Sequence, residues 1–192
     1  GMAVASLHAG WNVDSYLRAR HPLQQRVLRA VVAGTGFQTP LVGVDGCGVP
    51  VHGVPLAAMA TLYARLSRPE RFGDLAHSVR SATSAMREEP YLVAGRRRLD
   101  TELMQAGDGI VSKVGAEALA CAAMLDPGLG VAVKVEDGGE RAAGPVMLTV
   151  LGRLGAIPSQ ALRRLDRYVS PWVTGGGNRV GRFEVELDLR RD

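Results

Sequence analysis

The spacing of apolar positions changes part-way along the chain. In "HPLQQRVLRAVVAGTG", Leu23, Val27, Leu28 and Val31 recur at three- and four-residue steps, which predicts a helix with one apolar face. Pro22 suits its first turn, and Gly34 is the expected stop. The opening "MAVASLHAGW" is also helix-like, but no capping residue precedes it, so the helix is expected to begin upstream of the chain. "GVPLAAMATLYARLS" predicts a mostly buried helix with Leu56, Met59, Ala60 and Tyr63 turned inward. "RFGDLAHSVRSATSAMREEP" predicts a longer amphipathic helix ended by Pro90. "LDTELMQAG" predicts a short helix with Asp100 or Thr101 as its cap.

Beyond Gly107 the period shortens. "DGIVSKVGAEALACAAML" and "LGVAVKVEDGG" are expected as two strands joined by the turn "DPGLG". "ERAAGPVMLTVLGRLG" returns to helix, with Pro145 setting its start, and "SQALRRLDRYV" is a shorter helix. "GGGNRVGRFEVELDL" predicts a glycine turn and an alternating strand through Val180, Phe183, Val185 and Leu187, with a bulge at Gly181. With no repeat and no low-complexity linker, residues 1–192 are expected as one domain. The class is α/β or α+β, an incomplete antiparallel sheet packed with a helical block.

Composition narrows the classes. Hydrophobic residues form 46% of the chain, enough for a core, and no apolar run reaches the length of a membrane span. Two cysteines are too few for a disulfide scaffold and fit a reducing, cytoplasmic setting. The net charge of +4 suggests nucleic acid, but the arginines are scattered and aromatic residues make up 5%. That leaves little for a stacking platform, and the one dense run, "GRRRLD" at Gly95–Asp100, suits a solvated face. No nucleic-acid or membrane partner is expected.

The basic residues carry a sharper signal. There are twenty-one arginines and two lysines, Lys113 and Lys134, both in strand-like runs. A lysine can lose its proton when buried and an arginine effectively cannot, so either is a candidate for proton chemistry. Each also fits a strand lysine with its stem on the sheet and its head in water. Lys134 has Glu136 and Asp137 close by in sequence as partners. In "VDGCGVPVHGVP", Cys47 lies in a turn shaped by glycine and proline. It suits either a metal thiolate or a structural cysteine. His52 shares that loop; His8, His21 and His77 show no metal spacing. Cys121 in "ALACAAM" is expected in the core.

Several stretches together resemble one family. "VGVDGCGVPVHGVPLAAMATLYARL", "HPLQQ", "MREEPYLVAGRRRLDTELM", "SKVGAEALACAAM" and "VAVKVEDGGERAAGPV" resemble, in order, the L-asparaginase II family of the thermolabile rhizobial type. The resemblance spans most of Gly1–Leu154 and is loose after Pro158. It implies a fold similar to serine glutaminases and penicillin-recognising enzymes. Their shared chemistry uses a Ser-x-x-Lys nucleophile on a helix and a Lys-x-Gly on a strand. "SKVG" at Ser112–Gly115 resembles the strand motif, which makes Lys113 the catalytic candidate, relaying protons and attracting the substrate carboxylate. The implied substrate is a small amide amino acid, asparagine or glutamine. The resemblance further implies a zinc site built by two cysteines and a lysine, with Cys47 as one thiolate. Asp45 would orient a ligand, pair with a cation or touch substrate.

The departures from the family matter as much. The remaining zinc ligands belong to a Cys-Ser-Gly-Lys-His-Ala-Gly-Met type motif, of which Gly1 and Met2 resemble the last two residues. No Ser-x-x-Lys occurs: the positions three before the lysines are Ile110 and Val131. The chain is therefore expected to match the C-terminal portion of the family's catalytic domain, to be inactive by itself and to bind zinc weakly or not at all. An unpaired sheet edge is expected, covered by a homodimer partner or a separate N-terminal polypeptide. The competing reading is a non-catalytic protein that binds a small ligand or a partner on the same fold.

Overall fold

The structure, a computed structural model, describes residues 1–190. Its first half is helical: α1 (Met2–His8), α2 (Pro22–Thr35), the hairpin β1 (Leu41–Val44) and β2 (Pro50–Gly53), then α3 (Leu56–Arg65). A 3-10 turn at Pro69–Leu75 leads into α4 (Ala76–Glu88), followed by α5 (Pro90–Ala94) and α6 (Leu99–Ala106). The sheet is β3 (Ile110–Gly115), β4 (Leu119–Met124) and β5 (Leu129–Lys134). It is followed by α7 (Ala143–Arg153), α8 (Ser159–Arg164), α9 (Asp166–Val169) and the hairpin β6 (Trp172–Gly175) and β7 (Asn178–Arg182). This is a mixed α/β chain whose sheets are small and antiparallel. Among the described residues, no helix is long and apolar enough to cross a membrane.

The expected long strand around "SKVGAEALACAAM" is two strands. Gly115 pairs with Leu119, and the three residues between them turn the chain. Glu117 and Ala118 hold φ of 57° and 54°, a left-handed backbone that glycine or asparagine would mark in a sequence. Neither is present, so the pattern of residues conceals the turn. The second expected turn is real, and Leu125–Gly128 connects β4 to β5.

Strand alternation divides the sheet into two faces. Ile110, Ala120, Ala122 and Met124 face the core with Leu103 of α6 and Met147, Leu148 and Leu151 of α7. The other face lies on α3. A methyl group at Gly130 would overlap the Ala60 carbonyl oxygen and crowd the Ala64 nitrogen, so α3 can approach β5 only over a glycine. Helix α3 itself buries no residue fully, and Leu56, expected inward, is exposed, because the sheet covers only one side of the helix.

Other boundaries shift for local reasons. Helix α2 runs past Gly34 to Thr35 and ends on Gly36 at φ 73°. Gly34 lies inside the helix, where Phe72 and Leu62 seat against the space a side chain would fill. The predicted helix from Arg71 begins at Ala76, since Gly73 breaks the preceding turn. Helix α7 starts two residues ahead of Pro145, and the last predicted helix is broken at Leu165 into α8 and α9. The terminal strand stops at Arg182, where pairing with β6 ends, so Phe183, Val185 and Leu187 lie outside it. The expected irregularity is present: the register shifts at Val173/Thr174, next to the pair Val173 and Gly181.

Candidate active site

Strand β3 ends the sheet, and Asp100 lies along its outer edge. Asp100 was expected as a helix cap. Arg98 holds the cap position instead, and Asp100 sits in the first turn of α6 with 1% of its surface exposed. One carboxylate oxygen accepts the Ser112 hydroxyl at 2.7 Å. The other accepts the Val114 backbone N–H at 2.9 Å. The second oxygen also lies 3.7 Å from Lys113 Nζ. A buried carboxylate is costly without such partners, and three groups of one strand supply them. The edge donor that an unpaired strand would leave open is thereby satisfied.

Lys113 points from the face opposite Ser112, with about half of its side chain exposed. Its ammonium donates to the Val114 carbonyl at 2.6 Å. Across the strand pair stands Cys121. As expected, Cys121 is core, 2% exposed, and burial, then the nearby Asp100 charge, pushes its thiol up to about 12. Tyr63 of α3 closes this side. Burial raises its hydroxyl well above the ordinary range, and the Cys121 and Asp100 charges add to the rise. Cys121 and Tyr63 thus stay neutral near pH 7.

Lys134 differs from Lys113. Its Nζ donates to the Val135 carbonyl at 2.6 Å, and among the described residues no carboxylate, Glu136 and Asp137 included, lies within ion-pair distance. Asp137 pairs with Arg141 instead.

The Cys47 turn belongs to a separate two-stranded sheet. It forms the tip of the β1–β2 hairpin, which the residue pattern did not predict as strands. Cys47 is exposed and its Sγ lies 3.0 Å from Asp45 Oδ2. The Cys47 contact, and after it the backbone N–H groups of Gly46 and Cys47, hold the Asp45 carboxyl below its ordinary range. His52 lies on β2 opposite Val42. His21 caps α2, its Nδ1 accepting the Leu23 N–H at 3.2 Å. Among the described residues, no group of three or more His, Cys, Asp or Glu side chains is placed to share a metal ion. The structure thus brings Asp45 to Cys47 and Lys113 to Asp100, and among the described residues no hydrogen bond joins the two places.

Asp100 and Ser112 are the residues that sequence reasoning missed. The available signal was the spacing of an aspartate in "RRRLDTELM" ahead of an edge strand carrying "SKVG", but only the packing of α6 on β3 gives it meaning. No curated protein matches the chain. The family model described as L-asparaginase II matches residues 1–185. The chain, with its Ser-Lys-x-Gly strand and Asp-Gly-Cys-Gly turn inside that match, belongs to the L-asparaginase II family, a family of asparaginase-type hydrolases.

Proposed function

We propose that this chain supplies the lysine strand of a serine/lysine amidohydrolase that converts L-asparagine to L-aspartate and ammonia. The observation that carries this reading is Lys113 at the end strand of the sheet, 3.7 Å from the buried carboxylate of Asp100. Asp100 positions the strand and the lysine stem, and Lys113 relays protons and attracts the substrate carboxylate. The nucleophile would be a serine of a Ser-x-x-Lys segment, which these residues do not contain. Its hydroxyl oxygen bonds to the side-chain amide carbon, and its proton passes through the lysine of that segment and Lys113 to the departing ammonia. Water then cleaves the acyl ester, giving aspartate and restoring the serine. Ser112 is a poor nucleophile here, since it is 2% exposed and its hydroxyl is given to Asp100. The helix-flanked antiparallel sheet with "SKVG" on its end strand supports a serine-glutaminase-like architecture.

Zinc fits this chain incompletely. Cys47 and Asp45 offer a sulfur and a carboxylate in reach of each other, short of the usual four donors, so this chain binds zinc weakly or not at all and no step runs through it. The free thiols of Cys47 and Cys121 support a reducing, cytoplasmic setting. Strand β5 ends the other side of the sheet, and a second copy of the chain pairing there is the partner we favour over a separate polypeptide. A single monomeric species in light scattering would overturn that pairing.

The test is ammonia release from asparagine and glutamine, by this chain and by a chain extended upstream to carry Ser-x-x-Lys. Only the longer chain is expected to turn over. Lys113→Ala in it should lower kcat by about 10²–10⁴-fold. Inactivity of both chains, with asparagine still bound, would favour a ligand-binding protein on the same fold.

A further inference from the structure

The face of the sheet away from Lys113 carries a cavity of about 340 Å³, at the small end of the size range for ligand sites. Its floor is apolar, made by Leu99, Val114, Ala143 and Pro145. Its wall carries four arginines, Arg97, Arg98, Arg141 and Arg167. They come from three separate segments, so the cluster is a product of folding and not of the "GRRRLD" run alone.

The four arginines are not equivalent. Arg141 pairs with Asp137, and Arg167 pairs with Glu102 and lies over the Tyr168 ring. Arg97 and Arg98 have no carboxylate within ion-pair distance among the described residues. Arg97 holds φ at 57°, and its carbonyl accepts the Tyr168 hydroxyl at 2.7 Å, which ties this arginine's backbone to the opposite wall. The acidic groups of the wall do not neutralise it. Asp100 spends its oxygens on Ser112, Val114 and Lys113, which leaves Glu140 against two unpaired guanidinium groups.

We infer that this cavity, which shares Asp100 and Val114 with the Lys113 edge, is a second binding site that takes a small organic anion: an apolar body on the floor and a carboxylate or phosphate between Arg97 and Arg98. A guanidinium binds such groups through two parallel hydrogen bonds, and a neutral amide offers no equivalent. Lys113 lies on the opposite face of β3 but touches Asp100 and the Val114 carbonyl, two residues of this wall, so the cavity adjoins the Lys113 edge; the anion recognition rests on Arg97 and Arg98, which the amidohydrolase reading does not use.

Calorimetric titration with benzoate, benzamide and inorganic phosphate tests this. Benzoate should bind saturably, with affinity falling as ionic strength rises. Benzamide and inorganic phosphate, each lacking half of the recognition, should bind at least about tenfold more weakly. The double variant Arg97→Gln/Arg98→Gln should lose about tenfold in benzoate affinity. Both arginines are exposed, so this variant keeps its fold, and near-ultraviolet circular dichroism checks that it does. Benzoate binding is read as heat and needs no turnover, which keeps this result separate from any loss of hydrolysis. Equal binding of benzoate and benzamide, phosphate binding as tight as benzoate, no binding of any probe, or benzoate affinity untouched in the double variant would each overturn the proposal.

Discussion

Asp45 and Asp100 are the same side chain in opposite circumstances. Asp45 sits at the tip of an exposed hairpin, touched by one thiol and its own turn's N–H groups. Asp100 is buried and binds three groups of a strand that follows it in sequence. The hairpin around Asp45 also leaves apolar side chains in water, with Leu41 78% and Val44 76% exposed, whereas Ala122 beside the Asp100 edge is fully buried. A chemically suggestive turn can therefore be structurally marginal, while an unremarked aspartate anchors the sheet. What differs is desolvation: partners matter energetically where water cannot replace them.

That contrast can be broken by mutation. Asp100→Ala strands the Ser112 hydroxyl and the Val114 N–H and should cost about 3 kcal/mol in urea unfolding, while Asp45→Ala should leave the midpoint unmoved. Equal effects would dissolve the distinction. Gly130→Ala should cost about 1–3 kcal/mol by pushing α3 off β5, again by urea unfolding. An unchanged midpoint there would mean that α3 is not seated on the sheet.

Alkaline pH sharpens the comparison between the two thiols. The buried Cys121 thiol is raised from an ordinary 9.0 to about 12, so the unfolded chain ionises first. Its contribution to stability is complete below pH 9.0 and is lost as pH rises towards about 12. Cys121→Ala should flatten that part of the stability profile. The smallest effect is chemical: iodoacetamide near pH 8 should label Cys47 in the native chain and Cys121 only after unfolding. Labelling of both in the native state would place Cys121 nearer the surface than its packing allows.

Much of the fold was legible because its signals are local. The helical period of Leu23–Val31, the Asp-Pro-Gly turn before β5 and the apolar run of β4 need only neighbouring residues to be recognised. The turn at Ala116–Ala118 was not legible, since Glu117 and Ala118 adopt a backbone that their side chains do not advertise. The site divides in the same way. Lys113 could be singled out as one of two lysines in an arginine-rich chain, and Cys47 by its glycine turn. The role of Asp100 could not be found, because a capping aspartate and a buried anchor look alike in "RRRLDTELM".

By itself, then, the sequence determined the helical elements, the mixed class, the family and the two candidate residues that carry unusual chemistry. The tertiary structure alone decided which aspartate Lys113 faces, that the Cys47 turn belongs to a different sheet, and that arginines from three segments share one cavity. The physical reason is range. Periodicity and turn chemistry act over a few residues, whereas burial, ion pairing and cavity walls depend on contacts between segments far apart in the chain, which exist only once α6 has closed against β3 and α7 against the sheet.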